Sequence, residues 1–421
     1  MAVKGLLMGT EYSRFSSIFA PQKAKIGGTS AKQASKLADF AFGLHYLCSP
    51  NHLDQMKYLF FLLPLAYLAG NVYLFFRGKT AFATQSSGVK ILLLIIFLCC
   101  ALAFLGAFFL RQAHLPSTLA QLIEQVGTGW LVFTLYMVIA LFLLDLLKIC
   151  RLQLPYGFHF ALFAVLCLLA YGNYHYMHPV VREVNRIIPK ALLGEEQSLR
   201  IVAISDVHLG YATNKKMLRR YIQQINALRP DLVLIGGDLV DHAIEPLWQE
   251  GMQEEISQIY TPLGTYFVPG NHDFMSDIHE VERFIAETPI VMLRDSVVRL
   301  PNGLQLVGRD DRRNSHRKSL AALTTSLDQT LPILLVDHQP YDLTATAQAG
   351  VDLQFSGHTH RGQIWPMSLL VDRMFEWSYG SKVISDCLIY VSSGLSLWGP
   401  PFRIGTDSEI VVFNLTFQPT K

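Results

Sequence analysis

The stretch that decides the fold is Thr265-Tyr266-Phe267-Val268-Pro269-Gly270-Asn271-His272-Asp273. Its first four residues form a short apolar run that reads as a strand. A helical pattern follows from Asp277 to Glu287. The polar residues therefore sit at a strand's C-terminal end, where open α/β sheets hold their ligands. Asn offers a neutral oxygen, His a nitrogen that ligates or donates a proton, and Asp an acceptor that orients the His. Taken alone, the same run reads equally well as a polar turn, so its neighbours must decide.

Outward from this point the chain alternates strand and helix. Leu199–Ser205 and Asp231–Ile235 are buried-strand patterns, separated by a helix over Asn214–Leu228 that stops before Pro230. A second helix is expected over Glu245–Tyr260. Shorter strands are expected at Ile290–Leu293, Val297–Leu300 and Leu304–Val307, then a helix near His316–Leu327. Ile333–Val336, Leu353–Phe355, Leu388–Val391 and Glu409–Asn414 complete the series. Such alternation argues for βαβ units and a largely parallel sheet, an α/β sandwich in outline.

The strand ends repeat the chemistry of the opening stretch. Asp206-Val207-His208 closes the first strand, and Gly236-Gly237-Asp238-Leu239-Val240-Asp241 the second. His338 follows Ile333–Asp337, and Ser356-Gly357-His358-Thr359-His360 follows Leu353–Phe355. In a parallel sheet these ends share one edge, so their side chains converge. Carboxylate, amide oxygen and imidazole together suit borderline divalent metals such as Mn, Fe or Zn. An oxygen of Asp238 could bridge two ions about 3.5–4 Å apart, the arrangement used for phosphoryl chemistry. Any one of these histidines is better explained by an ordinary polar role. The combination in this order is poorly explained by chance.

The set Asp206-x-His208, Gly237-Asp238-x-x-Asp241, Gly270-Asn271-His272-Asp273, His338 and Gly357-His358-x-His360 resembles the calcineurin-like metallophosphoesterases. The resemblance covers residues 198–415, roughly half the chain. It implies that Asp206, His208 and His360 hold one divalent ion, that Asn271, His338 and His358 hold a second, and that Asp238 bridges them. It implies a substrate-contacting role for His272, with Asp241 and Asp273 as supports. Gly357-His358-Thr359-His360-Arg361-Gly362-Gln363 is similar to a membrane-anchored, bacterial-type branch whose usual run has Gly where Arg361 stands. Arg361 is expected either to reach a substrate phosphate or to pair with an acid such as Asp386. Gly394-Leu395 and Pro401-Phe402-Arg403 carry the same likeness.

The remaining composition is set by the N-terminal half. The 421 residues are 51% hydrophobic, with a mean hydropathy of +0.29, and the apolar excess lies mostly before residue 180. Four apolar runs, Tyr58–Phe76, Ile91–Leu110, Trp130–Ile149 and Tyr156–Tyr176, approach the ~20 residues that cross a bilayer core. Basic and aromatic residues flank them, as interfacial residues do. Asp145, three residues before Lys148, is expected to pair with it at the interface. The spans read as an anchor, with Asn71 the other polar residue to account for. Basic residues near the span ends balance, five on each side, so the charge rule leaves the side of the soluble half open. Translation from Met56 instead of Met1 is an open alternative.

The expected fold is thus an N-terminal all-α transmembrane bundle of four spans plus a C-terminal α/β metallophosphoesterase sandwich. The expected division is a poorly ordered tail over 1–55, a transmembrane domain over 56–178 and a juxtamembrane linker over 179–197. The phosphoesterase domain covers 198–415, and a short tail 416–421. The basic loop Arg309–Lys318 reads as solvated, with docking onto anionic headgroups as the alternative. A net charge of +2 and the lack of any basic-aromatic array give no reason to expect nucleic acid. Six cysteines form no CxxC pair, which leaves redox and zinc-ribbon readings unsupported.

The implied activity is hydrolysis of a phosphodiester, phosphomonoester or pyrophosphate by metal-activated water. Two divalent ions are the expected cofactors, with Mn favoured over Fe and Zn. The bilayer and a phosphoester substrate are the expected partners. Anchoring suggests a lipid-linked substrate, and a soluble one met near the membrane is the other reading. A catalytically silent membrane sensor or scaffold on the same fold is the alternative function.

Overall fold

The computed structural model describes residues 53–109 and 117–418. The expected N-terminal tail up to residue 52 and the last three residues of the C-terminal tail lie outside the described residues. Four long helices come first: α1 (Leu53–Ala81), α2 (Ser87–Phe109), α3 (Ser117–Ile149) and α4 (Gly157–Met177). Among the described residues three stretches are long and apolar enough to cross a membrane: Ser87–Gly106, Gln121–Ile149 and Gly157–Met177. The expected first span, Tyr58–Phe76, falls in α1, partly on residues whose side chains lie outside the described set. The helices share an apolar cluster that includes Leu74, Val132, Met137, Leu141 and Val165.

Two polar contacts tie these helices, and one corrects an expectation. Asp145 pairs with Arg77 of α1 (2.5 Å) and accepts from Tyr73 Oη (2.5 Å). Its expected partner Lys148 lies one turn on along α3, but α1 brings a guanidinium that can meet the carboxylate directly. Asn71 is structural: its Oδ1 accepts from Trp130 Nε1 at 2.8 Å.

Beyond α4 the chain folds into two six-stranded sheets. The first runs β1 (Val180–Ile188), β12 (Glu409–Phe417), β2 (Ser198–Ile204), β3 (Leu232–Ile235), β4 (Thr265–Phe267) and β5 (Ile290–Met292). The second runs β10 (Gly380–Ile384), β11 (Cys387–Val391), β9 (Leu353–Ser356), β8 (Ile333–Val336), β7 (Gln305–Gly308) and β6 (Ser296–Arg299). β2, β3, β4 and β5 pair in parallel, as do β7, β8, β9 and β11. The inner strands read as continuous apolar runs because both of their faces are covered. Ile201, Ala203, Leu232 and Leu234 face inward onto Leu334, Val336, Leu353 and Phe355 of the second sheet. The alternate residues Val202, Ile204, Val233 and Ile235 face an outer helical layer.

Helix α5 (Lys215–Ala227) belongs to that layer. Asn214 caps it by accepting from Met217 N, and Leu218, Tyr221, Ile222 and Ile225 form its buried stripe. The single helix expected over Glu245–Tyr260 is instead two short ones, α6 (Glu245–Glu250) and α7 (Met252–Ile256). Gly251 separates them with φ +61°. The helix expected near His316–Leu327 shortens to α8 (Leu320–Thr324), begun by the Ser319 cap.

The stretch after α4 also differs from expectation. Residues 179–197 are not simply a linker, because Val180–Ile188 is β1, paired in parallel with β12 over its whole length. Val184 packs on the inter-sheet core and Ile188 is buried. Glu183 lies on the opposite, exposed face, while Arg182 and Arg186, on the face of Val184, reach Asp407 and the Asp386 carbonyl. An edge strand with one exposed face carries this much charge without losing its pairing.

Candidate metal centre

The strand-end residues are brought together by an unusual backbone. Asp206, His208, Asp238, His358 and His360 have φ of 54°, 48°, 51°, 72° and 47°. Each such left-handed residue costs about 1–3 kcal/mol, and such strain persists only where surrounding contacts enforce it. Here the loops hold one another. Asp206 N donates to Gly237 O (2.9 Å), His208 N to Asp238 O (3.0 Å) and Gly357 N to His338 O (3.0 Å). His358 N donates to Asp206 Oδ1 at 3.1 Å.

Two groups of donors result. In the first, His360 Nε2 lies 3.2 Å from His208 Nε2 and 3.4 Å from Asp206 Oδ1. In the second, Asp238, His338 and His358 converge. His338 Nε2 lies 3.2 Å from Asp238 Oδ2 and 3.3 Å from Asn271 Oδ1. Asp238 Oδ2 is also 3.9 Å from His208 Nε2, so this carboxylate touches both groups. The two buried imidazole nitrogens of the first group lie within hydrogen-bond distance of each other and beside a carboxylate, an arrangement compatible with one shared cation. His338 Nδ1 lies 2.8 Å from Gly236 O, which fixes the ring with Nε2 toward the site.

Burial and mutual charge shift these groups strongly. Burial pushes the Asp206 carboxyl up, with the Asp238 charge adding to it. Burial opposes ionisation of Asp238, but the imidazoles of His338 and His272 more than offset it and hold it well below the usual range. Burial disfavours a charged His338 as well, yet Asp238 keeps its imidazole well above the ordinary value. His358 falls to about 3 through burial and the charge of His338, leaving a neutral imidazole, the ligating form. Nitrogen, carboxylate and amide donors in a buried cluster fit borderline divalent ions.

The expected supports stand around this centre. His272 Nδ1 meets Asp241 Oδ1 at 2.9 Å, and His272 N donates to Asp238 Oδ1 at 2.7 Å. Asp273 accepts from Gly270 N (2.8 Å) and Val240 N (2.9 Å), clamping the third strand end onto the second. Burial and the Asp238 charge push its carboxyl up to about 7. Gly270 is required by close approach, since a Cβ there would lie 2.2 Å from Asp238 Oδ1. Arg361 follows His360, and its guanidinium lies over the Tyr379 ring at 4.4 Å. Among the described residues it makes no ion pair with Asp386.

The basic loop is more tightly paired than a freely solvated loop. Arg309 and Arg317 both pair with Asp337, Arg312 pairs with Asp342 (2.5 Å), and Lys318 Nζ donates to Asp295 O. Acidic residues distant in sequence neutralise what the loop alone shows as a positive cluster.

The contacts of three residues near the centre escaped the sequence reading. His242 stacks on His272 with ring centroids 5.1 Å apart and lies 3.3 Å from Asp241. Its place directly after Asp241 was a visible signal. Trp398 comes within 6.0 Å of the His272 ring and is half-exposed. Arg403 is fully buried, and donates to the carbonyls of His360, Ser393, Gly394 and Ser396 at 3.0, 2.5, 3.1 and 2.9 Å. Its Pro-Phe-Arg setting was legible, but not the carbonyl nest it fills.

The family model described as calcineurin-like phosphoesterase matches residues 199–362. An uncharacterized metallophosphoesterase of Helicobacter pylori is 31% identical over 256 residues, covering 59% of this chain and 68% of the relative. One from Campylobacter jejuni is 30% identical over 271 residues, with 63% and 70% covered. A transmembrane protein with metallophosphoesterase domain from Danio rerio is 31% identical over 267 residues, with 59% and 60% covered.

Proposed function

The chain belongs to the calcineurin-like metallophosphoesterases, and from that membership we propose that it is a membrane-anchored, dinuclear metal-dependent phosphoesterase. The observation that carries this reading is the pair of donor groups sharing Asp238. In it Asp206, His208 and His360 would hold one divalent ion and Asn271, His338 and His358 the other, with Asp238 within reach of both. Mn is the favoured ion, with Fe and Zn compatible with the same donors. Two ions so held would supply Lewis acidity and a lowered water pKa for attack at phosphorus.

The protein's own groups do the rest. Asp241 holds His272 at Nδ1, which leaves Nε2 for the substrate. From there the ring stabilises a phosphoryl oxygen or protonates the leaving oxygen. Asp273 keeps Gly270 and Val240 in register, and with them the loop that carries Asp238. Arg361, on the rim beside His360, contributes a positive charge toward the substrate's phosphate. The bond broken is a phosphodiester, phosphomonoester or pyrophosphate. The apolar helices support membrane association, and a lipid-linked substrate is inferred from that anchoring alone, beside a soluble phosphoester met near the membrane.

The test uses the full-length protein in detergent, loaded with Mn and presented with chromogenic phosphomonoesters and phosphodiesters and with lipid pyrophosphates. At least one class should turn over. Asp238→Asn should reduce that turnover by a factor of about 10³ or more while the protein still folds. Full activity in this variant, or turnover indifferent to chelation, sinks the two-ion assignment.

A further inference from the structure

The segment that leaves the metal centre runs His360-Arg361-Gly362-Gln363-Ile364-Trp365 and then forms α9 (Met367–Met374). Four large apolar side chains along it are exposed: Trp365 (47%), Met367 (38%), Leu369 (57%) and Leu370 (44%). The helix's charged residues, Asp372 and Arg373, come in its last turn. Four exposed large hydrophobes within six residues are unusual on a water-facing surface.

What covers them follows from where the segment is tied. Tyr136 Oη of α3 donates to Trp365 O at 2.6 Å. Ile364, Phe402 and Ile404 pack into the same apolar cluster as Val132, Met137 and Val165 of the membrane helices. Arg403 N donates to Gly172 O of α4 (2.9 Å), and Asn173 Nδ2 to Pro401 O (3.0 Å). Tyr136 stands about 20 Å along α3 from its end at Ile149, at 1.5 Å per residue. Gly172 stands about 22 Å along α4 from its start at Gly157 by the same rise. Both ends close on one short connection, residues 150–156. A hydrocarbon core about 30 Å thick, measured from that connection, reaches past the level of Tyr136 and Gly172. Tilting the helices shortens these rises along the membrane normal and sets the contact deeper.

We propose that Trp365, Met367, Leu369 and Leu370 form an interfacial anchor buried in the lipid bilayer, continuous with the lipid-facing surface of α3 and α4. The anchor adds a second, in-plane attachment to the membrane helices. Because the segment starts at His360, it seats the rim of the metal centre at the bilayer surface. Arg361, on that rim, then stands at headgroup level. The inference rests on the bilayer reading of the helices and is independent of which phosphoester is cleaved.

Nitroxide accessibility tests it on the full-length chain, with native cysteines replaced, reconstituted into phosphatidylcholine–phosphatidylglycerol vesicles. Single labels are placed at Leu370→Cys, at Leu146→Cys on the exposed side of α3, and at Lys216→Cys on exposed α5. The ratio of oxygen to nickel-chelate relaxation at Leu370 should be several-fold above that at Lys216 and close to that at Leu146. A Leu370 ratio matching Lys216 while Leu146 reads lipid overturns the anchor alone. A water-like ratio at Leu146 overturns the bilayer reading and the anchor with it. Brominated-lipid quenching of Trp365, compared with Trp365→Phe, gives a second reading without a label. Loss of quenching in that variant supports the anchor, and unchanged quenching overturns it.

Discussion

At the scale of the residue, Gly270 and Asp238 show how little room the centre leaves. The backbone at Gly270 comes so close to Asp238 that a Cβ would overlap its carboxylate and crowd its backbone nitrogen at 2.6 Å. Gly270→Ala should therefore displace the carboxylate shared by both donor groups. Metal content measured on the purified protein should fall, and turnover with it by about 10–100-fold, the usual cost of a misoriented ligand shell. Normal metal stoichiometry in this variant would show that the crowding is relieved elsewhere. Arg403 illustrates the opposite case, a charge kept buried by carbonyls. Burial brings its pKa down to about 10, still charged at neutral pH.

At the scale of the element, α4 and the 396–407 loop behave as one unit. His175 Nδ1 pairs with Asp407 at 2.8 Å, and Arg182 of β1 pairs with the same carboxylate. Tyr176 Oη lies 3.4 Å from Ser396 Oγ. At the contact, a Cβ on Gly172 would lie 2.6 Å from Ile404 Cγ1 and 3.3 Å from Arg403 O. Gly172→Leu should overpack this seam and destabilise the protein by about 1–3 kcal/mol. Thermal denaturation in detergent reads that loss. An unchanged midpoint would mean that helix and domain are not packed together as described. Through Arg403 the same seam reaches the carbonyl of His360.

At the scale of the whole molecule, two sheets pack face to face and deliver their strand ends to one edge. Asp206, Asp238 and Asn271 come from the first sheet, and His338, His358 and His360 from the second. An ion bound between them is a cross-link across the sandwich, present only in the folded state. Saturation at a hundredfold over the dissociation constant adds about 2.7 kcal/mol of stability. Chelation of the full-length protein should lower its thermal midpoint, and added Mn should restore it. A midpoint that chelator leaves unmoved, with metal shown to be removed, would argue that the two sheets hold without the ions.

The sequence by itself determined which residue types close the strands and which runs of chain form them. Both follow from local rules: short continuous apolar runs mark buried strands, and strand ends carry the polar groups that a sheet edge presents. Apolar length likewise marked Tyr58–Phe76, Ile91–Leu110, Trp130–Ile149 and Tyr156–Tyr176, and the last three of these overlap the three membrane-competent stretches among the described residues. What only the tertiary structure decided depends on partners far away in the chain. Val180–Ile188 is charged enough to pass for a linker, and becomes a strand only because β12 lies beside it. Asp145 chooses Arg77 over Lys148 because α1 brings the guanidinium within reach. The basic loop is neutralised by Asp337 and Asp342, which no local reading could place beside it. Gly270-Asn271-His272-Asp273 carries both lessons. Its residue types announce a site, and Asp241 and Asp238, thirty residues or so away in sequence, decide how His272 is held in it.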